Sequence, residues 1–125
     1  MKALRRHEAI GILPDQVPGK GEGVWIEYFG RTAYTMTLAA RLSETPGVKT
    51  LIVFAERLPW GRGYDLHFSE PDVPIEGGTE QRALAINRSI ESLIRRHPQQ
   101  YLWSYNRYKR PKGAPPPPAP GAGAA

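Results

Sequence analysis

A chain of 125 residues without cysteine has room for one domain of about 110 residues, and for neither a disulfide framework nor a thiolate metal site. No apolar run approaches the roughly 20 residues that cross a bilayer, and no apolar stretch of a signal peptide follows the basic start. A net charge of +5 suits anionic partners, whether phosphorylated lipid, membrane surface or nucleic acid, and does not choose among them.

Residues 1–6 carry strong helix formers and a cationic end, the pattern of a last helical turn. So short a turn is not stable alone, which leads to the expectation that Met1 is an internal methionine of a longer protein. Residues 8–13 are near-continuously apolar from Ala9 and predict a buried parallel strand that stops at Pro14-Asp15-Gln16. A loop punctuated by Gly19, Gly21 and Gly23 follows; its spacing fits no phosphate-cradling fingerprint, so it reads as a flexible hairpin loop. Residues 24–29 predict a second strand, closing on Phe29-Gly30-Arg31. Met36, Leu38, Ala39, Ala40 and Leu42 predict a helix over 35–42, ended by Pro46-Gly47.

Residues 48–55 are β-branched and apolar, and form the firmest strand prediction. A turn over 56–63 leads to an alternating strand over 64–68 with one solvated face. After a Pro-rich acidic loop, Thr79 is the expected N-cap of a helix over 80–96, with Glu80 near its positive end. Its stripe of Ala83, Ile86, Ile90, Leu93 and Ile94 is a core face, not a cofactor box. Pro98 ends it, and an aromatic-basic run follows. Residues 111–125, rich in Pro, Gly and Ala, are expected to form a separate disordered or extended tail after a partial domain over 1–110. The order of elements is α/β, with enough strands for half of a larger sheet.

Two signatures in this order carry a resemblance. Leu13-Pro14-Asp15-Gln16, the glycine loop and Phe29-Gly30-Arg31 form the first. The second is Tyr101-Leu102-Trp103-Ser104-Tyr105-Asn106-Arg107-Tyr108-Lys109-Arg110-Pro111, placed after a helix and His97-Pro98. Over roughly residues 1–113 the chain resembles the C-terminal portion of the lipid A biosynthesis (lauroyl/myristoyl) acyltransferases. The resemblance implies an α/β fold whose mixed sheet these elements complete. It also implies transfer of a fatty acyl chain from acyl carrier protein to a hydroxyl of a phosphorylated glucosamine lipid. The implied place is the cytoplasmic face of the bacterial inner membrane, with no cofactor.

The resemblance further implies a catalytic His-x4-Asp/Glu upstream of the Leu-Pro-Asp-Gln segment, its His acting as general base. The one formal match, His67 to Asp72, lies after that segment, so His67 reads as an ordinary strand residue. His7 and His97 have Ile12 and Leu102 at the fifth position, and read as surface or helix-end residues. No catalytic residue is therefore expected within the chain, which by itself should not transfer an acyl group. Substrate contacts are expected from Asp15, Gln16, Phe29, Arg31 and Arg57, and membrane or phosphate contacts from Trp103, Arg107, Lys109 and Arg110. Asp15 and Gln16 equally suit a plain turn, and Arg57 a salt bridge with Glu56 or Asp65. The rival function is a non-catalytic basic α/β module that binds anionic lipid or a membrane surface. No RNP-type, zinc or recognition-helix pattern supports a nucleic-acid partner.

Overall fold

In the computed structural model, residues 2–19 and 21–119 are described. The organising element is a hairpin of β1 (Gly23–Tyr28) and β2 (Arg31–Met36), paired antiparallel from Tyr28 opposite Arg31 to Gly23 opposite Met36. Its two-residue turn is Phe29-Gly30, with φ of 49° and 72°. Two successive positive φ values match the right-handed twist of the flanking strands, as in type I′ turns. Glycine adopts such a φ freely, whereas at Phe29 it carries strain.

The helix expected over 35–42 is thereby corrected. Residues up to Met36 belong to β2, and the helix α2 occupies Leu38–Ser43. Ala33, Tyr34 and Thr35 are buried in β2, and the Tyr34 ring meets the ring of its ladder partner Trp25 at 5.1 Å. This cross-strand packing outweighs the local helical spacing.

The long helix α3 (Thr79–Arg96) packs across β1 and against α2. Gly78, not Thr79, stands at its N-cap: the Gly78 N–H donates to Gln81 Oε1 at 2.7 Å, while Thr79 Oγ1 donates to Glu44 at 2.8 Å. Of the predicted stripe, Ala83, Ile86, Ile90 and Ile94 form the core, and Leu93 is half-buried beside it. Tyr28, Ala33 and Ile94 make one cluster, Ala40, Ala83 and Ile86 another, and Ile90 packs against both.

A second antiparallel hairpin stands apart, built from β3 (Ile52–Arg57) and β4 (Tyr64–Ser69). The strand expected over 48–55 starts only at Ile52, and β4 is exposed on both faces rather than one. The strand expected over 8–13 is absent: this segment is irregular, with Ile10 and Leu13 exposed, because no strand edge lies beside it to satisfy its backbone. A four-residue helix, α1 (Lys2–Arg5), precedes it. The class is α/β, made of helices and two small antiparallel sheets. Among the described residues no helix is long and apolar enough to cross a membrane.

The start of the Pro/Gly/Ala segment is not free of the body. Ala114 is buried, Pro115 O accepts a hydrogen bond from Trp25 Nε1 at 2.9 Å, and Arg110 Nη2 donates to Ala114 O at 3.0 Å. The last part of the expected tail, 120–125, lies outside the described residues.

Candidate functional site

The Tyr28–Arg31 turn is held from below by α3 and from above by the chain's aromatic-basic run. The Phe29 N–H donates to Glu91 Oε1 at 2.9 Å, which ties the strained turn to the helix. Asn87, one turn earlier, donates to Glu27 O at 3.0 Å and to Thr35 Oγ1 at 3.3 Å. After α3 the chain doubles back over the hairpin. Tyr108 Oη donates to Tyr28 O at 2.8 Å, and Tyr105 Oη accepts from the Val17 N–H at 2.9 Å.

Arg107 fastens this arrangement. Only 3% exposed, it donates from Nη1 to Tyr34 O and from Nη2 to Thr35 Oγ1, each at 2.8 Å. Its Cζ lies 4.9 Å from the centre of the Tyr28 ring. Among the described residues no carboxylate pairs with it, and its Nε has no partner. A buried cation without a counter-charge is costly. Burial pulls the guanidinium below its ordinary value, while Tyr28, Tyr101, Tyr105 and Tyr108 oppose that shift. Burial also pushes Tyr28 well above the ordinary tyrosine value, helped by its hydrogen bond to Tyr101, and burial raises Tyr108. Both phenols stay neutral at ordinary pH, so neither supplies the missing negative charge.

Between the turn and the returning chain lies a cleft of about 520 Å³. Its walls are the rings of Tyr28, Phe29, Tyr101, Trp103, Tyr105 and Tyr108, with Arg31, Ser104, Asn106 and Arg107 as its other lining residues. No acidic side chain lines it. Arg31 Cζ sits 4.1 Å from the Tyr108 ring centre and Arg95 Cζ 4.9 Å from that of Phe29. Trp103 is anchored through Nε1 to Pro98 O at 2.7 Å, yet remains 61% exposed, with its ring edge-on to Tyr101 at 5.0 Å. Such a cleft is suited to a ligand with an anionic group and a flat or apolar body. Among the described residues no three His, Asp or Glu side chains converge as a metal site would require.

Residues 1–110 match the family of bacterial lipid A biosynthesis acyltransferases. The chain belongs to this family. It is 31% identical over 118 residues to a lipid A biosynthesis lauroyltransferase of Escherichia coli (strain K12), covering 92% of this chain and 39% of that protein. It is 34% identical over 114 residues to a lipid A biosynthesis palmitoleoyltransferase of the same strain, covering 89% and 37%. A lipid A biosynthesis acyltransferase of Haemophilus influenzae matches at 25% over 100 residues, covering 80% and 31%. The chain thus spans less than two fifths of the length of these curated relatives.

Within this chain the expected site residues divide. Phe29, Arg31, Trp103 and Arg107 come together in the cleft. Asp15 is half-buried in the turn after Pro14, close enough to Tyr28 for its charge to raise that phenol; Gln16 is exposed. Lys109 stays exposed with Nζ 5.1 Å from the Tyr105 ring, and exposed Arg110 turns back to Ala114 O. Arg107 departs from its expected role at the surface, because the hairpin's carbonyl and hydroxyl draw its guanidinium inward. Arg57 lies away from the cleft at the end of β3, where Gln100 brackets its backbone N–H and C=O at 3.2 and 3.1 Å. Among the described residues neither salt bridge weighed for Arg57, with Glu56 or with Asp65, is present, and Glu56 pairs with His67.

The formal His-x4-Asp match is taken apart by the fold. His67 Nε2 and Glu56 Oε2 lie 2.9 Å apart, whereas Asp72 Oδ2 lies 3.3 Å from Arg96 Nη1. His67 is a strand residue, as the sequence suggested, and His97 caps α3. Asn87 and Glu91, which position the cleft's turn, escaped the sequence reading. Their signal was present: two polar residues four apart on the apolar face of α3, which only buried partners would accommodate.

Proposed function

We propose that the chain serves in lipid A biosynthesis as part of an acyltransferase that moves a fatty acyl chain from acyl carrier protein to a hydroxyl of a phosphorylated glucosamine lipid. Its contribution is the acceptor side. The observation that supports this most is the acid-free cleft that joins Arg31 and Arg107 to the rings of Phe29, Tyr101 and Trp103. A glucosamine ring offers a C–H face to stack on an indole, and its phosphate offers oxygens to guanidinium donors. Arg31 is the accessible donor; Arg107, locked below, contributes an uncompensated positive field focused into a low-dielectric cleft. Asp15 and Gln16 flank this surface from the Pro14 turn. Trp103, Lys109 and Arg110 face the phosphates of the inner membrane's cytoplasmic leaflet.

In the reaction, the acceptor hydroxyl attacks the thioester carbonyl, a general base takes its proton, and the carrier thiol leaves. The family's His-x4-Asp/Glu supplies that base. The one match within these residues, His67 and Asp72, is not paired as a dyad: His67 meets Glu56 and Asp72 meets Arg96. This polypeptide alone therefore transfers no acyl group. Clear turnover by the purified chain with acyl carrier protein would disprove that statement. The acceptor assignment is tested separately, by titrating glucosamine 1-phosphate and unphosphorylated glucosamine while following chemical shifts. The phosphorylated sugar is expected to perturb the Trp103 indole and the Arg31 side chain, and Arg31→Ala to weaken it on the order of tenfold. An equal response to both sugars would overturn the assignment.

A further inference from the structure

The segment that carries Pro14-Asp15-Gln16 belongs to neither sheet. Among the described residues, 9–19 make one hydrogen bond to the rest of the molecule, from the Val17 N–H to Tyr105 Oη at 2.9 Å. Packing adds a hold just downstream. Pro18 is buried, and a Cβ at Gly23 would lie 2.8 Å from its Cγ, so glycine there admits the proline. Tyr105 is itself fixed. Its ring walls the cleft, and its carbonyl accepts from the Arg107 N–H at 2.9 Å. Arg107 in turn is bound to β2 through Tyr34 O and Thr35 Oγ1. Asp15, two residues before Val17, is close enough to Tyr28 for its charge to raise that phenol. The turn thus sets a carboxylate beside the wall of a cleft whose own lining holds no acid.

We propose that Tyr105 is a positioning residue: its hydroxyl, through the Val17 N–H, holds Asp15 at the rim of the cleft, where the carboxylate accepts from a hydroxyl or ammonium of the bound sugar. The ligand is then divided between two ionised groups. Arg31 donates to the phosphate oxygens, and Asp15 accepts the polar hydrogens of the ring. Such recognition discriminates only when the groups are held within about half an ångström of their working geometry. A turn without a ladder does not hold itself that closely, because its backbone keeps its conformational freedom. A phenol on a rigid support supplies the missing constraint, and the support here is the buried Arg107. This role rests on the acceptor reading above, and gives that reading the residue that places its turn.

The test uses the full chain and glucosamine 1-phosphate, titrated while chemical shifts are followed, with amide exchange at Val17 as a readout that needs no ligand. Tyr105→Phe keeps the ring and removes the hydroxyl. It should weaken binding about fivefold and speed Val17 exchange roughly tenfold. Val17→Pro removes the donor and keeps the hydroxyl, and should weaken binding by a similar factor. Asp15→Asn should weaken binding about fivefold in the wild type and no further in Tyr105→Phe. Arg31→Ala should have the same effect in both backgrounds. A phenol that merely supported the fold would not single out Asp15 in this way. If circular dichroism shows Tyr105→Phe unfolded, Val17→Pro combined with Asp15→Asn decides. Losses that multiply between the two sites would overturn the role and leave the acceptor reading standing, as would Tyr105→Phe with unchanged binding or unchanged Val17 exchange. A wild-type chain that does not bind the phosphorylated sugar overturns both.

Discussion

The two hairpins of this chain have strands of the same length and the same antiparallel pairing, and opposite fates. In β1–β2, Tyr28, Ala33, Tyr34 and Thr35 are buried beneath α3 and the returning aromatic run. In β3–β4 the more apolar strand, Ile52-Val53-Phe54-Ala55, alternates between half-buried and exposed, and every residue of β4 is exposed. Apolar content therefore did not decide which hairpin became core. Polar residues did, because Asn87 and Arg107 both donate to Thr35, and Asn87, Glu91 and Arg107 each bond the hairpin backbone, which offsets the cost of burying that hairpin.

The sharpest way to break the contrast is Arg107→Ala. It removes donors to Tyr34 O and Thr35 Oγ1 and opens a void under Tyr28, so a loss of about 3 kcal/mol is expected in denaturant unfolding. Arg107→Lys should recover little, as an ammonium cannot reproduce the paired donors. Next comes alkaline pH. The folded-state pKa of Tyr28 is raised, so its contribution is complete below the ordinary tyrosine value and declines as pH rises past it toward the folded value. The unfolding free energy should begin to fall near about pH 10, by up to about 1.4 kcal/mol per pH unit, taking the midpoint with it, and less steeply in Tyr28→Phe. A midpoint with the same pH profile in both proteins would contradict this.

Gly30→Ala places a Cβ at φ of 72°, where space is open but the backbone conformation is strained; a loss of about 1 kcal/mol is expected from thermal unfolding. The smallest effect belongs to the other hairpin. Leu66→Ser should change stability by less than about 0.5 kcal/mol, because the side chain is already in water. A loss comparable to that of Arg107→Ala would mean that β3–β4 is as much core as β1–β2, and would erase the distinction.

Much of this was legible in the sequence. The 3.6-residue stripe of α3, the strand after the glycine loop and the strand from Tyr64 follow from local periodicity, which needs no tertiary context. Family membership was legible too, because its two signatures are contiguous runs of residues. Phe29, Arg31 and Trp103 were found from those runs, but not the fact that they share a cleft with a buried Arg107.

Tertiary structure alone decided the remainder. The segment over 8–13 has the composition of a strand, yet a strand exists only where another edge accepts its hydrogen bonds. Residues 35–36 have helical spacing, yet the ladder to β1 claimed them. An arginine in a basic run looks like a surface cation until a carbonyl and a hydroxyl, more than seventy residues away in sequence, draw both of its Nη atoms inward. Periodicity is a property of neighbours along the chain, and burial is a property of partners brought together across it.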